Sequence, residues 1–169
     1  MQKIIAVFAL VFILLVVNFS IYKKETLLEN GQVVFLKLAP VDPRSIMQGD
    51  YMALRFAMES EIIKALKAKK LVGIDSHYYE SIDGLVKVQL DDKNVATFVD
   101  VDSSSLRKEQ QVLQYRLRKG QIKFATNAFF FQEGSRQIFE EAKYGEFRVA
   151  SNGELLLVGL RDSNLEKLG

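Results

Sequence analysis

Residues 51–58 read Tyr51-Met52-Ala53-Leu54-Arg55-Phe56-Ala57-Met58, and their alternation decides the fold class. An extended chain sends successive side chains to opposite faces. Met52, Leu54, Phe56 and Met58 therefore share one apolar face, and Tyr51, Ala53, Arg55 and Ala57 share the other. This is the pattern of a half-buried strand. The segments around it follow the same grammar. Upstream, Gln32 to Leu38 (QVVFLKL) reads as a strand that Pro40 ends, and Asp42-Pro43 marks a loop before Gly49-Asp50. Downstream, Ser60 is placed to cap a helix running to about Leu71, with Ile62, Ile63 and Leu66 inward and Lys64, Lys67 and Lys70 outward. That basic face reads as solvated, with acidic lipid headgroups as the alternative neighbour.

The remainder is punctuated by hairpin signals. Leu85 to Leu90 and Val95 to Val101 flank Asp91-Asp92-Lys93-Asn94; Leu113 to Leu117 and Gln121 to Phe131 flank Lys119-Gly120. Glu146 to Ala150 and Glu154 to Leu160 flank Ser151-Asn152-Gly153, where Asn-Gly supplies the positive φ of a tight turn. Gly134-Ser135 opens a short helix expected to run through Lys143. The sum is a mainly β (α+β) domain: about eight antiparallel strands and two short helices over residues 32–169.

The N-terminus is of another kind. From Ile4 to Val17 fourteen apolar residues run unbroken, and Phe19, Ile21 and Tyr22 extend them to Lys23 and Lys24. A helix from Ile4 to Tyr22 rises ~28 Å, close to the ~30 Å hydrocarbon core of a bilayer. A cleaved signal peptide needs small residues before its cleavage site, and Asn18 stands badly for that. A buried core helix needs a polar face that this stretch lacks. The reading is an uncleaved signal anchor over 1–24, with the bilayer as partner through residues 4–22 and a polar connection over 25–31. Lys23 and Lys24 favour the cytoplasm under the positive-inside rule. A very short N-terminal tail before a single span argues for delivery of the domain outward, and that is the orientation expected: a cell (inner) membrane protein with a periplasmic domain.

Charge and cysteine narrow the chemistry. Residues 1–24 hold Lys3, Lys23 and Lys24 of the 23 basic residues and none of the 21 acids, which leaves the remainder at net −1. The pI of about 8.7 thus belongs to the flanks of the anchor, and a near-neutral domain gives no electrostatic reason to expect nucleic acid. With no cysteine, disulfides, thiolate metal sites and a cysteine nucleophile are excluded. His77 is the single histidine. Asp100-Val101-Asp102 starts like a calcium loop, but Ser105 stands where glycine belongs and Gln111 where the bidentate glutamate belongs. No catalytic residue, metal or cofactor is assigned.

Two stretches carry a resemblance. Gly49-Asp50-Tyr51-Met52-Ala53-Leu54-Arg55-Phe56 is similar to the signature of the GDYXXLXY family of bacterial membrane-anchored proteins. Phe129 to Gly134, Ala142 to Val149 and Gly153 to Leu160 fit the same family in the right order, so the resemblance spans roughly 33–162. It implies a single-pass envelope protein, often encoded beside multi-pass membrane proteins, and no assigned activity. One departure is that the last tyrosine of the signature is Phe56 here, which points to a residue that packs.

The candidate binding or structural motif comprises Arg44, Gly49, Asp50, Tyr51, Glu133, Gly134, Tyr144, Gly145 and Glu146. Three readings divide these residues. In the first, they belong to a non-enzymatic domain that binds or supports an integral, multi-pass membrane partner, with Arg44, Asp50 and Tyr51 as a polar lip. In the second, the 42–50 loop resembles the box of signal peptidases and serves a degenerate peptide-binding domain. Ser45 lies five residues before Asp50 rather than nine, where Val41 stands, so the nucleophile is lost. In the third, Asp50 with Glu133 or Glu146 forms the carboxylate pair of a hydrolase of envelope material. The run Phe129-Phe130-Phe131 is expected to supply core rings and one exposed ring.

Overall fold

The computed structural model describes residues 2–39, 47–48, 51–71, 81–101, 106–126 and 128–169. Helix α1 (Gln2–Asn30) precedes β1 (Gln32–Lys37), β2 (Met47–Gln48), β3 (Tyr51–Ala53), α2 (Glu59–Ala68), β4 (Ile82–Leu90), β5 (Ala96–Asp100) and β6 (Gln110–Arg118). Then follow β7 (Gln121–Lys123), β8 (Ala128–Phe130), α3 (Arg136–Phe139), β9 (Tyr144–Val149), β10 (Leu155–Arg161) and β11 (Lys167–Leu168). The strands form three antiparallel sheets, ordered β1-β9-β10-β11, β5-β4-β6-β7 and β2-β3-β8. The eight expected strands are all present. Three more arise because Gln121 to Phe131 divides into β7 and β8, and because the two-residue pieces β2 and β11 form.

The apolar faces of all three sheets meet in one core. Val34 and Leu36 of β1, Phe147 of β9, Val86 and Val88 of β4 and Leu113 of β6 are fully buried there. A parallel bridge between Phe35 and Val95 joins the first sheet to the second, and a bridge between Leu38 and Phe56 joins the first to the signature segment. Residues 51–58 keep their alternation through the core: Met52, Leu54, Phe56 and Met58 are buried, and Arg55 and Ala57 are exposed. Only Tyr51–Ala53 is regular strand, because the chain turns at residues 57–58 into α2.

Helix α2 buries Ile62 and Leu66 as its spacing requires and leaves Lys64 exposed; Lys67, expected outward, is half-buried, and Lys70 is exposed just beyond the helix end. Its start differs from expectation. Met58 is the N-cap, with no side-chain cap bond, and the Glu59 carboxylate instead accepts the Phe56 N–H at 3.0 Å. Its end comes three residues before Leu71. Lys70 adopts φ 55° and the Leu71 N–H donates to the Leu66 carbonyl, a six-to-one closure that stops the helix. Burial raises the Glu59 pKa above its ordinary 4.5, against the lowering effects of the Phe56 N–H and Arg55. A raised pKa in the folded state means that stability is fully present below pH 4.5 and lost as pH rises through the folded value. Glu59→Gln keeps an acceptor for the Phe56 N–H without the buried charge. Its melting temperature should exceed that of wild type at pH 7, and the difference should vanish near pH 4. A constant difference across that range would contradict the assignment.

The turns follow their residues. Lys119 and Gly120 have φ 50° and 76°, a type I′ pair joining Arg118 to Gln121. At Ser151-Asn152-Gly153 only Gly153 has positive φ (83°), and Gly153 N–H donates to the Ala150 carbonyl. That is a type I turn with a glycine bulge, and the positive φ expected of Asn-Gly falls on its glycine. The expected helix from Gly134 to Lys143 shrinks to the four residues of α3. Phe139 is anchored in the core against Phe129 and Phe131, and the backbone of Lys143 bonds to Leu38 and Arg161, which commits it to the ladder.

Glu25 to Asn30, expected as a polar connection, is the last stretch of α1. Glu, Leu and Thr there contain no helix breaker, so the helix continues past the lysines until Gly31. Its end is docked on the domain. Leu27 is buried, Gly31 N–H donates to the Leu27 carbonyl, Arg148 Nη1 donates to the Gly31 carbonyl at 3.3 Å, and Lys24 pairs with Glu154 at 2.5 Å. By contrast, the large apolar side chains from Ile4 to Tyr22 are exposed, Phe8 to 72%. This one N-terminal helix is long and apolar enough to cross a membrane.

Candidate functional site

The residues singled out from the sequence fall on separate elements. Tyr51 opens β3, pairs with Phe130 of β8, and holds its ring 5.6 Å from that of Phe130. Phe130 is 74% exposed while Phe129 and Phe131 are half-buried, the division expected of the triple-phenylalanine run. Arg44, Gly49 and Asp50 lie outside the described residues. Glu133 and Gly134 sit in the exposed turn after β8, where Gly134 takes φ 84°.

Tyr144, Gly145 and Glu146 stand on β9, in another sheet. Gly145 lies against the Phe147 ring, which a Cβ would meet at 2.9 Å. Glu146 is buried, and both Nε (2.7 Å) and Nη2 (2.5 Å) of Arg161 donate to its Oε2. The Glu146 carboxylate is thus held by a charge-assisted pair, and β9 packs between β1 and β10. The sheet arrangement brings Tyr51 to Phe130 and separates both from the Tyr144–Glu146 segment.

A feature that the sequence reading did not single out lies elsewhere. The tip of the β9–β10 hairpin hooks onto β6 where β7 does not pair with it: Gln114 N–H donates to the Gly153 carbonyl at 2.8 Å, and Gln114 Nε2 to the Asn152 carbonyl at 3.2 Å. Between this tip, β4, β6 and β7 lies a groove of about 720 Å³, and Lys24 at the docked end of α1 lines it. Gly84 in its wall makes room for the Tyr115 ring opposite, whose hydroxyl a Cβ would meet at 2.7 Å. Burial raises the pKa of that hydroxyl above 10.0.

The charges around the groove are unequal once pairs are formed. Glu154 is paired with Lys24, and Asp83 with Arg118 at 2.6 Å. Arg116 and Lys123 have no ion-pair partner among the described residues, and they stand directly opposite each other across β6 and β7. The signal for this was in the sequence: a two-residue turn at Lys119-Gly120 sets 118 against 121 and hence 116 against 123.

No curated protein and no solved structure matches the chain. A family model described as "GDYXXLXY protein" matches residues 13–160, from within α1 to Leu160, and this covers the signature segment, the docked helix end and the three sheets apart from β11 and Arg161. The chain belongs to the GDYXXLXY family.

Proposed function

We propose that this chain is a non-enzymatic, single-pass protein of the bacterial cell envelope. Residues 4–22 anchor it in the inner membrane, and its extracytoplasmic domain binds and supports an integral, multi-pass membrane partner. The carrying observation is the junction of helix and domain. With Gly31 alone between α1 and β1, and with Leu27, Lys24 and Arg148 clamping the helix end, the domain has a set orientation relative to the anchor. A tethered domain searching the periplasm needs a flexible linker; a domain that supports a neighbour in the bilayer needs the opposite. The exposed Phe130 ring beside Tyr51 gives such a neighbour an aromatic anchor point, the kind of residue enriched at binding hot spots.

Mild-detergent purification of the full-length protein from its own membrane, with cross-linking, tests the reading. A multi-pass protein should co-purify in fixed ratio and fall in abundance when this chain is deleted. Phe130→Glu should reduce recovery of the partner at least ~10-fold, the loss of one hot-spot anchor, without lowering the melting temperature. A protein that purifies alone, and whose deletion leaves neighbouring membrane proteins at normal levels, overturns the proposal.

A further inference from the structure

We propose that the groove between the β9–β10 tip and β6–β7 binds the phosphate of an anionic lipid headgroup, held between Arg116 and Lys123. The inference rests on the anchored reading above but concerns a different surface from the Tyr51–Phe130 patch.

Three observations lead to it. First, Arg116 and Lys123 are cross-strand partners. Like charges directly opposite in an antiparallel pair destabilise it, and neither has an ion-pair partner among the described residues; Asp83, which faces Arg116 from β4, is paired with Arg118 instead. An anion seated between the two removes that repulsion and accepts hydrogen bonds from both. Arg116 is oriented for this, because its Nη2 is held on the Ala125 carbonyl at 2.8 Å and its remaining N–H groups are left to donate. Second, the acids that line the groove are neutralised in place, Glu154 by Lys24 and Asp83 by Arg118, so neither repels an incoming phosphate strongly.

Third, the height of the groove selects a lipid over a soluble phosphate. Lys24 lines it and lies two residues beyond Tyr22, the last residue of the apolar stretch. Two residues of helix rise ~3 Å. Because α1 is docked rather than flexible there, the groove opens in the headgroup layer, where phosphodiesters are concentrated. Basic residues at that level gain from the negative surface of anionic bilayers.

The test uses the full-length protein in a neutral detergent, titrated with short-chain phosphatidylglycerol, and separately with phosphatidylcholine of the same chain length and with glycerol 3-phosphate. Melting temperature and the 31P line width of the lipid are the readouts. Phosphatidylglycerol should raise the melting temperature and broaden its 31P line, and phosphatidylcholine should do neither. Lys123→Gln should weaken the phosphatidylglycerol response ~10-fold or more, as expected for losing a charge-assisted bond. It should not lower the melting temperature without lipid, because a repulsion is removed; a merely structural Lys123 would lower it. Equal responses to the two lipids, an unchanged response in Lys123→Gln, or an equal effect of glycerol 3-phosphate would each overturn the assignment. Co-sedimentation with pure phosphatidylcholine vesicles reports the anchor alone, so failure of anchoring and failure of the groove are separate results.

Discussion

Replacing Arg161 by alanine is expected to destabilise the domain by about 3–5 kcal/mol, the range for removing one partner of a buried ion pair. The Glu146 side chain is only 7% exposed and its Oε2 takes two donors from Arg161, which is 22% exposed. Arg161→Ala leaves the carboxylate buried among β1, β9 and β10 without a counter-charge. Against a typical domain stability of ~5–15 kcal/mol, that loss brings the fold near its limit. Urea unfolding followed by far-ultraviolet circular dichroism measures it. Replacing both partners together, Glu146→Leu with Arg161→Met, should recover most of the loss, since an apolar pair of similar volume carries no desolvation penalty. A loss below ~1 kcal/mol in the single variant, the range of exposed pairs, would show that solvent screens the pair.

The same pair marks where sequence reasoning stops. Alternation along residues 144–149 and 155–161 assigns faces only while the register is regular. Opposite residues run Leu155↔Val149 and Leu157↔Phe147, but Glu146 faces Gly159, because Val158 is an extra residue in a bulge. That one insertion moves Arg161 onto the face of Tyr144 and Glu146, diagonal to the carboxylate. Nothing in Leu157-Val158-Gly159 announces it beyond a glycine. The break after Lys123 was hidden for a related reason. Phe124 to Phe131 contains no proline or glycine, yet Ala125 takes φ 44° so that β8 can leave β7 and pair with β3. The partner strand lies some 75 residues back in the chain, and local propensity carries no record of it.

What local chemistry does encode was readable. The alternation of residues 51–58 named the buried side chains, and Lys119-Gly120 fixed a turn. That turn also fixes the Arg116–Lys123 pairing. Lys23 and Lys24 marked a plausible membrane boundary but not a helix end, because helix formers follow them to Asn30. The electrostatic boundary at Lys23 and Lys24 and the helix end at Asn30 are two different places.

Phe56→Ala should cost about 3–5 kcal/mol, the range for deleting a buried aromatic ring, and it tests what the family signature is for. The Phe56 ring is 2% exposed, 5.3 Å from Phe124 at 90° and 5.7 Å from Phe147. Phe147 belongs to the first sheet, Phe124 follows the last strand of the second, and Phe56 itself extends the strand β3 of the third. One ring therefore touches the inner face of each layer, in edge-on and tilted geometries that add to area burial. Its backbone is engaged as well, bridged to Leu38 and donating to Glu59. Phe56→Leu, which keeps most of the volume, should cost clearly less than Phe56→Ala, and both should lower the urea midpoint without altering the urea dependence. Equal costs would mean that ring geometry rather than filled volume carries the effect. Leu54 is buried beside it at 5% exposure, while Tyr51 faces outward to the exposed Phe130. The signature thus divides by strand parity: its later apolar positions lock three sheets together, and the tyrosine alternating with them packs its ring near the exposed Phe130.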